Sequence, residues 1–184
     1  MKIRNIVLAL SLVLFASPAM AKNFIKVGKA KFKKFPVAPT ISTQSGNDFV
    51  VAATATKGTG VATLTIIFND LLNQIAEGAE FDVTTGQNSV DGKAFANFTT
   101  SKSSRKGSTA IASDEESSVI SGSLKIKKVQ ENGNFTGLLK MKISNALVQK
   151  QKFNIGSIGT VVEPKESRKK SITVTAEFTT EDLQ

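Results

Sequence analysis

From Asp48 onward the chain alternates with a period of two. Phe49 to Thr56 (FVVAATAT) is a run of small and β-branched residues, Lys57-Gly58-Thr59-Gly60 carries turn chemistry, and Val61 to Phe68 (VATLTIIF) puts Ala62, Leu64, Ile66 and Phe68 on one face. Two such runs joined by a glycine-containing connection predict a hairpin. Glu80 to Thr85 and Ala94 to Thr100 read as further strands, with a turn at Asp91-Gly92 between them. Near the C-terminus, Ser171 to Thr179 (SITVTAEFT) buries Ile172, Val174, Ala176 and Phe178 and turns Thr173, Thr175 and Glu177 outward. The exception is Leu71 to Glu77. There Asn69-Asp70 offers a cap, Gly78 a stop, and Leu71, Leu72 and Ile75 an apolar side, which predicts one short helix. The serine-rich stretch Ser101 to Ser118 reads as a surface loop, and Gln149 to Lys170 as an irregular strand followed by a long loop.

The strongest local signal is Asn132-Gly133, flanked by Val119 to Gln130 and Phe135 to Val148. Asn-Gly favours a two-residue turn because both central residues need positive φ. That turn sets Ile126 against Leu139, Leu124 against Met141 and Gly122 against Ile143, all on one face. It also sets Lys125 opposite Lys140 on the other face, with Lys127 and Lys142 beside them. Like charges opposed across a ladder repel, so something must offset them: water, an acidic neighbouring strand or a ligand. Glu177, outward on the last strand, is one candidate partner.

Before Asp48 the pattern changes. Residues 1–21 carry a charged start (Lys2, Arg4), an apolar run from Ile6 to Phe15 and an Ala19-Met20-Ala21 motif, which predicts a secretory signal peptide cleaved after Ala21 and a periplasmic or extracellular location. Lys22 to Phe35 (KNFIKVGKAKFKKF) fails as one strand, because Lys29, Lys31 and Lys33 would share a face with Ile25 and Val27. As a helix it gathers Phe24, Ile25, Gly28, Phe32 and Phe35 opposite Lys22, Lys26, Lys29 and Lys33. One expectation is therefore a basic arm for an anionic membrane surface, carried by Phe24, Ile25, Lys26, Lys29, Phe32, Lys33 and Phe35. The other is an apolar strand or loop edge docked on the domain with its lysines in water. Pro36, Pro39 and Ser42 to Asn47 read as a linker, which divides the chain into 1–21, 22–47 and a β-domain over 48–184.

Composition narrows the chemistry. The 184 residues include no Cys, His, Trp or Tyr, so a Ser-His-Asp triad, a cysteine nucleophile, an imidazole or thiolate metal site and a disulfide are all excluded. Ser-x-x-Lys occurs at Ser103–Lys106 and Ser167–Lys170, but in polar lysine-rich surroundings and without the partner motifs of acyl-transfer enzymes. Glu77, Glu80 and Asp82, or Asp114, Glu115 and Glu116, offer carboxylates without the Trp or Tyr that shape a sugar subsite. No catalytic residue, cofactor or metal ligand is assigned. Lys and Arg number 24 against 15 Asp and Glu. Removing Lys2 and Arg4 with the signal leaves 22 against 15, or +7, with Arg105 and Arg168 the only arginines. Lysine is a point charge without bidentate geometry, so salt-sensitive contact with an anionic polymer is expected rather than sequence-specific nucleic-acid recognition.

The sum is an all-β protein: an antiparallel β-sandwich of about seven strands, or a barrel, with one short helix. The leading functional expectation is a non-catalytic exported domain that contacts an anionic cell-envelope component through Lys125, Lys127, Lys140 and Lys142. The alternatives are a subunit of an exported assembly, with 171–179 as donor or edge strand, and a small hydrolase using carboxylates or Ser/Lys.

Overall fold

A computed structural model describes residues 23–45, 48–84, 94–113, 117–156, 159–162 and 166–182. The expected signal peptide, the Asp91-Gly92 turn and Asp114 to Glu116 lie outside the described residues. The alternating segments form strands where the sequence places them: β4 (Asp48–Lys57), β5 (Gly60–Phe68), β6 (Glu80–Thr84), β7 (Ala94–Ser104), β9 (Val119–Val129), β10 (Phe135–Gly156) and β12 (Glu166–Thr179). Six more bring the described total to thirteen in place of about seven: β1 (Phe24–Val27), β2 (Ala30–Phe32), β3 (Thr40–Ser45), β8 (Gly107–Ala112), β11 (Gly159–Val162) and β13 (Glu181–Asp182). Lysine interrupts the apolar pattern of β1 and β2 and serine that of β3 and β8, while β11 and β13 are only four and two residues long.

The hydrogen-bonded order is β13-β3-β4-β5-β7-β6-β9-β10-β12-β1-β2. Its two ends meet. β13 follows β12 after one residue and pairs with β3, while Lys34, just past β2, bridges Thr56 of β4. The other long connection is also shared. β10 pairs with β9 from Phe135 to Ser144 and with β8 from Leu147 to Lys152, and β8 in turn pairs with β7. Two strands therefore separate β7 from β10 at one end and a single strand at the other. Ser113 seals the split, its hydroxyl accepting from the Phe98 N–H and donating to the Phe98 carbonyl.

Inward positions of the long strands form one core. Phe49, Phe68, Phe81, Phe135 and Phe178 crowd one end, with Phe49 stacked on Phe68 at 4.1 Å and edge-on to Phe135 at 6.4 Å. Ala53, Ala55, Ala62, Ala96 and Ala176 are buried at other inward positions. Ala62, Leu64, Ile66 and Phe68 are fully buried on β5, as their alternation predicts.

The expected helix over 71–77 is a single 3-10 turn, Leu72–Gln74. Leu71 is buried and Leu72 and Ile75 pack on the core, so the apolar side is right and the length is wrong. The neighbouring backbone is claimed by the sheet: Gly78 donates to the Ile126 carbonyl and Ala79 accepts from the Ile126 N–H. Asp70 turns at φ 53, its N–H bound to the Asp48 carboxylate. A seven-residue helix has little stability of its own to resist these ties.

Ser101 to Ser118 is not simply a loop. Ser101 faces Ala110, Lys102 faces Thr109 and Ser103 faces Ser108 in a β7–β8 hairpin turned by Arg105-Lys106. Gln149 to Lys170 is likewise mostly strand, because β10 runs to Gly156 and β12 begins at Glu166. A bulge between Ile143 and Ala146, with Asn145 at φ 58, lets β10 continue past the core.

Candidate polyanion face

The basic arm is a hairpin. Gly28, at φ 55, and Lys29 form its two-residue turn, and Ile25 pairs with Phe32, Lys26 with Lys31, and Val27 with Ala30. A two-residue turn swaps which parity faces inward. Odd-numbered Ile25 and even-numbered Phe32 thus both point to the core, and the conflict that argued for a helix disappears. Ile25 and Phe32 are buried, and Phe35 packs on the core from a half-buried position. Lys26, Lys29 and Lys33 are exposed. The apolar side proposed for a membrane surface is thus folded against β12, through Phe24–Glu177, Ile25–Ala176, Lys26–Thr175 and Val27–Val174.

The β9–β10 register differs from the one expected. Gln130 receives and gives the bonds that close a three-residue loop, Glu131-Asn132-Gly133, with Gly133 at φ 86. A further irregularity separates Thr136, opposite Lys128, from Gly137, opposite Ile126. Each feature slips the register by one, so the total slip is two. Leu139 faces Leu124, Met141 faces Gly122 and Ile143 faces Ile120. A slip of two preserves faces, which is why Leu124, Ile126, Leu139 and Met141 are buried as expected. It does not preserve partners. Lys125 lies opposite Leu138, not Lys140, and Lys140 lies opposite Ser123.

The four hairpin lysines therefore divide into two pairs. Lys125 has Glu80 directly across on β6, and Lys127 forms an ion pair with Glu177 at 3.2 Å. Lys140 is flanked by Ser123 and Thr175, and Lys142 by Ser121 and Thr173. The row through Lys140 continues across Thr175 to Lys26 and then Lys31. With strands ~4.8 Å apart, Lys140 and Lys26 are roughly 10 Å apart at the backbone. The outward face over β10, β12, β1 and β2 thus gathers Lys26, Lys31, Lys140 and Lys142, with Ser or Thr on the intervening rungs. The opposed like charges belong to Lys26 and Lys31. Lys31 Nζ sits 3.8 Å from the centre of the Phe24 ring, an attraction that offsets part of the repulsion. Recognising the Gly28-Lys29 turn in the sequence would have identified this pair.

The other candidates stay dispersed. Ser103 and Lys106 sit at the exposed end of the β7–β8 hairpin, and Ser167 and Lys170 lie exposed along β12. Glu77, Glu80 and Asp82 are exposed. Among the described residues no three acidic side chains group as a metal site would require, and no helix is long and apolar enough to cross a membrane. Strand 171–179, expected as a possible donor or edge, is paired along its length by β10 and over 174–177 also by β1. Comparison with protein-family models, with curated proteins and with solved structures finds no match.

Proposed function

We propose that this chain is a non-catalytic exported β-domain that contacts an anionic polymer of the cell envelope through Lys26, Lys31, Lys140 and Lys142. One observation carries the reading: two distant segments bring these lysines onto one outward face, with no carboxylate on the rungs between them. Asp82, beyond Ser123 on the Lys140 row, and Glu177 of β12 border the cluster, and the four lysines outnumber them. Such a net positive patch raises the local potential and draws polyanions without demanding a particular sequence or shape. In the same reading the shared ladders form a barrel-like scaffold, and the N-terminal hairpin belongs to the domain as part of its binding face. Export rests on the three-part N-terminal signal.

The test is retention of the protein on lipopolysaccharide, teichoic acid, DNA and heparin across a salt series. The reading expects preference for one polymer near physiological salt, and a marked loss when the four lysines become Gln. Equal weak retention on every polymer, vanishing with modest salt, would reduce the charge to a solvated coat. Assembly by strand addition would have to use backbone outside 174–177, which is paired on both edges.

A further inference from the structure

Lys57 and Lys102 occupy positions that the alternation of their strands directs inward. On β4 the inward series is Phe49, Val51, Ala53 and Ala55, and Lys57 is its next member. On β7 it is Ala94, Ala96 and Phe98, and Lys102 lies two steps further. The register sets both lysines on one rung, Lys57 opposite Gly60 and Gly60 opposite Lys102. Because Gly60 has no side chain, the rung carries two lysines around a bare centre. Phe32 lies over that centre, and a Cβ on Gly60 would fall 3.1 Å from its ring. The Lys34–Thr56 bridge holds the end of β2 against β4 one residue from Lys57, and the Thr59 hydroxyl ties the β4–β5 turn to the Ser103 carbonyl.

Around this rung is a cavity of about 570 Å³, lined by Ala30, Phe32, Lys57, Thr59, Gly60 and Lys102 among others. Its volume falls in the range of small-molecule sites, roughly 300–1,000 Å³. Phe32 and Ala30 supply an apolar floor, and the methylene stems of the two lysines extend it toward the rim, where the ammonium groups reach water. An apolar floor under a cationic rim complements a ligand with an alkyl tail and an anionic head. A neutral alkyl chain would leave the ammonium groups unused, and a cationic amphiphile would be repelled.

We propose that this cavity binds a single-chain anionic amphiphile, its tail against Phe32 and Ala30 and its carboxylate or phosphate between Lys57 and Lys102. The site is separate from the outward lysine face and does not depend on it. Isothermal titration of the purified protein with laurate, below the concentration at which laurate forms micelles, tests the assignment. Dodecyl phosphate and dodecyltrimethylammonium serve as comparison titrants. Saturable binding near one per chain is expected for laurate and dodecyl phosphate, and none for the cation. A Lys57→Glu/Lys102→Glu variant should bind laurate at least tenfold more weakly, and Ala30→Phe should fill the floor and abolish binding, both with an unchanged circular dichroism spectrum. If Ala30→Phe unfolds, the charge-reversed variant decides, because both its positions are exposed. The Lys26, Lys31, Lys140 and Lys142→Gln variant should bind laurate as the parent does. Absence of saturable laurate binding, equal binding of the cationic amphiphile, or undiminished binding by the charge-reversed variant would overturn the proposal.

Discussion

Adding one methyl group at Gly122 should open the sheet between β9 and β10. An ideal Cβ there lies 2.2 Å from the Lys140 carbonyl oxygen and 2.6 and 2.7 Å from the Met141 Cα and Cβ. Two of those atoms are backbone, so no rotamer change relieves the clash. Directly opposed residues ordinarily keep their Cβ atoms about 4.5–5.5 Å apart. Alanine must therefore displace one strand by something near 1 Å, judged against that spacing. Overpacking of a well-packed interior costs roughly 1–3 kcal/mol, and the gain from replacing a strand glycine recovers only about 0.5–1. For a domain of this size, each kcal/mol moves the melting temperature by about 2–4 °C. Gly122→Ala should thus melt several degrees below the parent, with a lower urea midpoint. Ser121→Ala, on the outward neighbour, should stay within about 0.5 kcal/mol. A Gly122→Ala protein as stable as the parent would refute the close approach and the register that produces it.

Three further outcomes follow from the packing. Phe32→Ala removes a buried ring that joins the N-terminal hairpin to the core, and should lower stability by about 3 kcal/mol or more in chemical denaturation; a neutral result would mean that the hairpin is not docked. Thr180→Val leaves the Phe135 N–H without the hydroxyl it donates to in a buried site, and should cost roughly 1–3 kcal/mol in the same assay. Glu177→Gln breaks the ion pair with Lys127, whose side chain is 43% exposed, so its effect on stability should stay below about 1 kcal/mol and shrink with added salt.

What was legible in the sequence followed from strict alternation. β5 and the C-terminal half of β12 could be assigned face by face, because Leu64, Ile66, Val174, Ala176 and Phe178 leave one way to bury themselves. Glu177 is legible as a lysine partner because the alternation of β12 turns it outward, and it pairs with Lys127. Long-range geometry was less accessible. A turn one residue longer than expected and one irregular rung moved Lys140 from Lys125 to Ser123 while leaving every buried face correct, so the hydrophobic pattern gave no warning. In the N-terminal segment, a turn at Gly28-Lys29 inverted parity and made a strand pair look helical. The serines of β7 and β8 concealed a hairpin because their alternation is between polar residues on both faces. The lysine face joins residues more than a hundred positions apart, and only the pairing of β12 with both β10 and β1 brings them together.

The most direct test of the lysine face compares two variants on one polymer. Lys26, Lys31, Lys140 and Lys142 are changed to Gln in the first, and Lys125 and Lys127 in the second, and affinity for the preferred polymer is followed against salt concentration. If duplex DNA is the probe and all four lysines contact phosphates, the first variant should lower the slope of log K against log salt by about 3.6. The second should lie close to the parent, because Glu80 and Glu177 already neighbour its lysines. A first variant that keeps the parent's affinity and slope, or a second that loses as much as the first, would contradict the assignment.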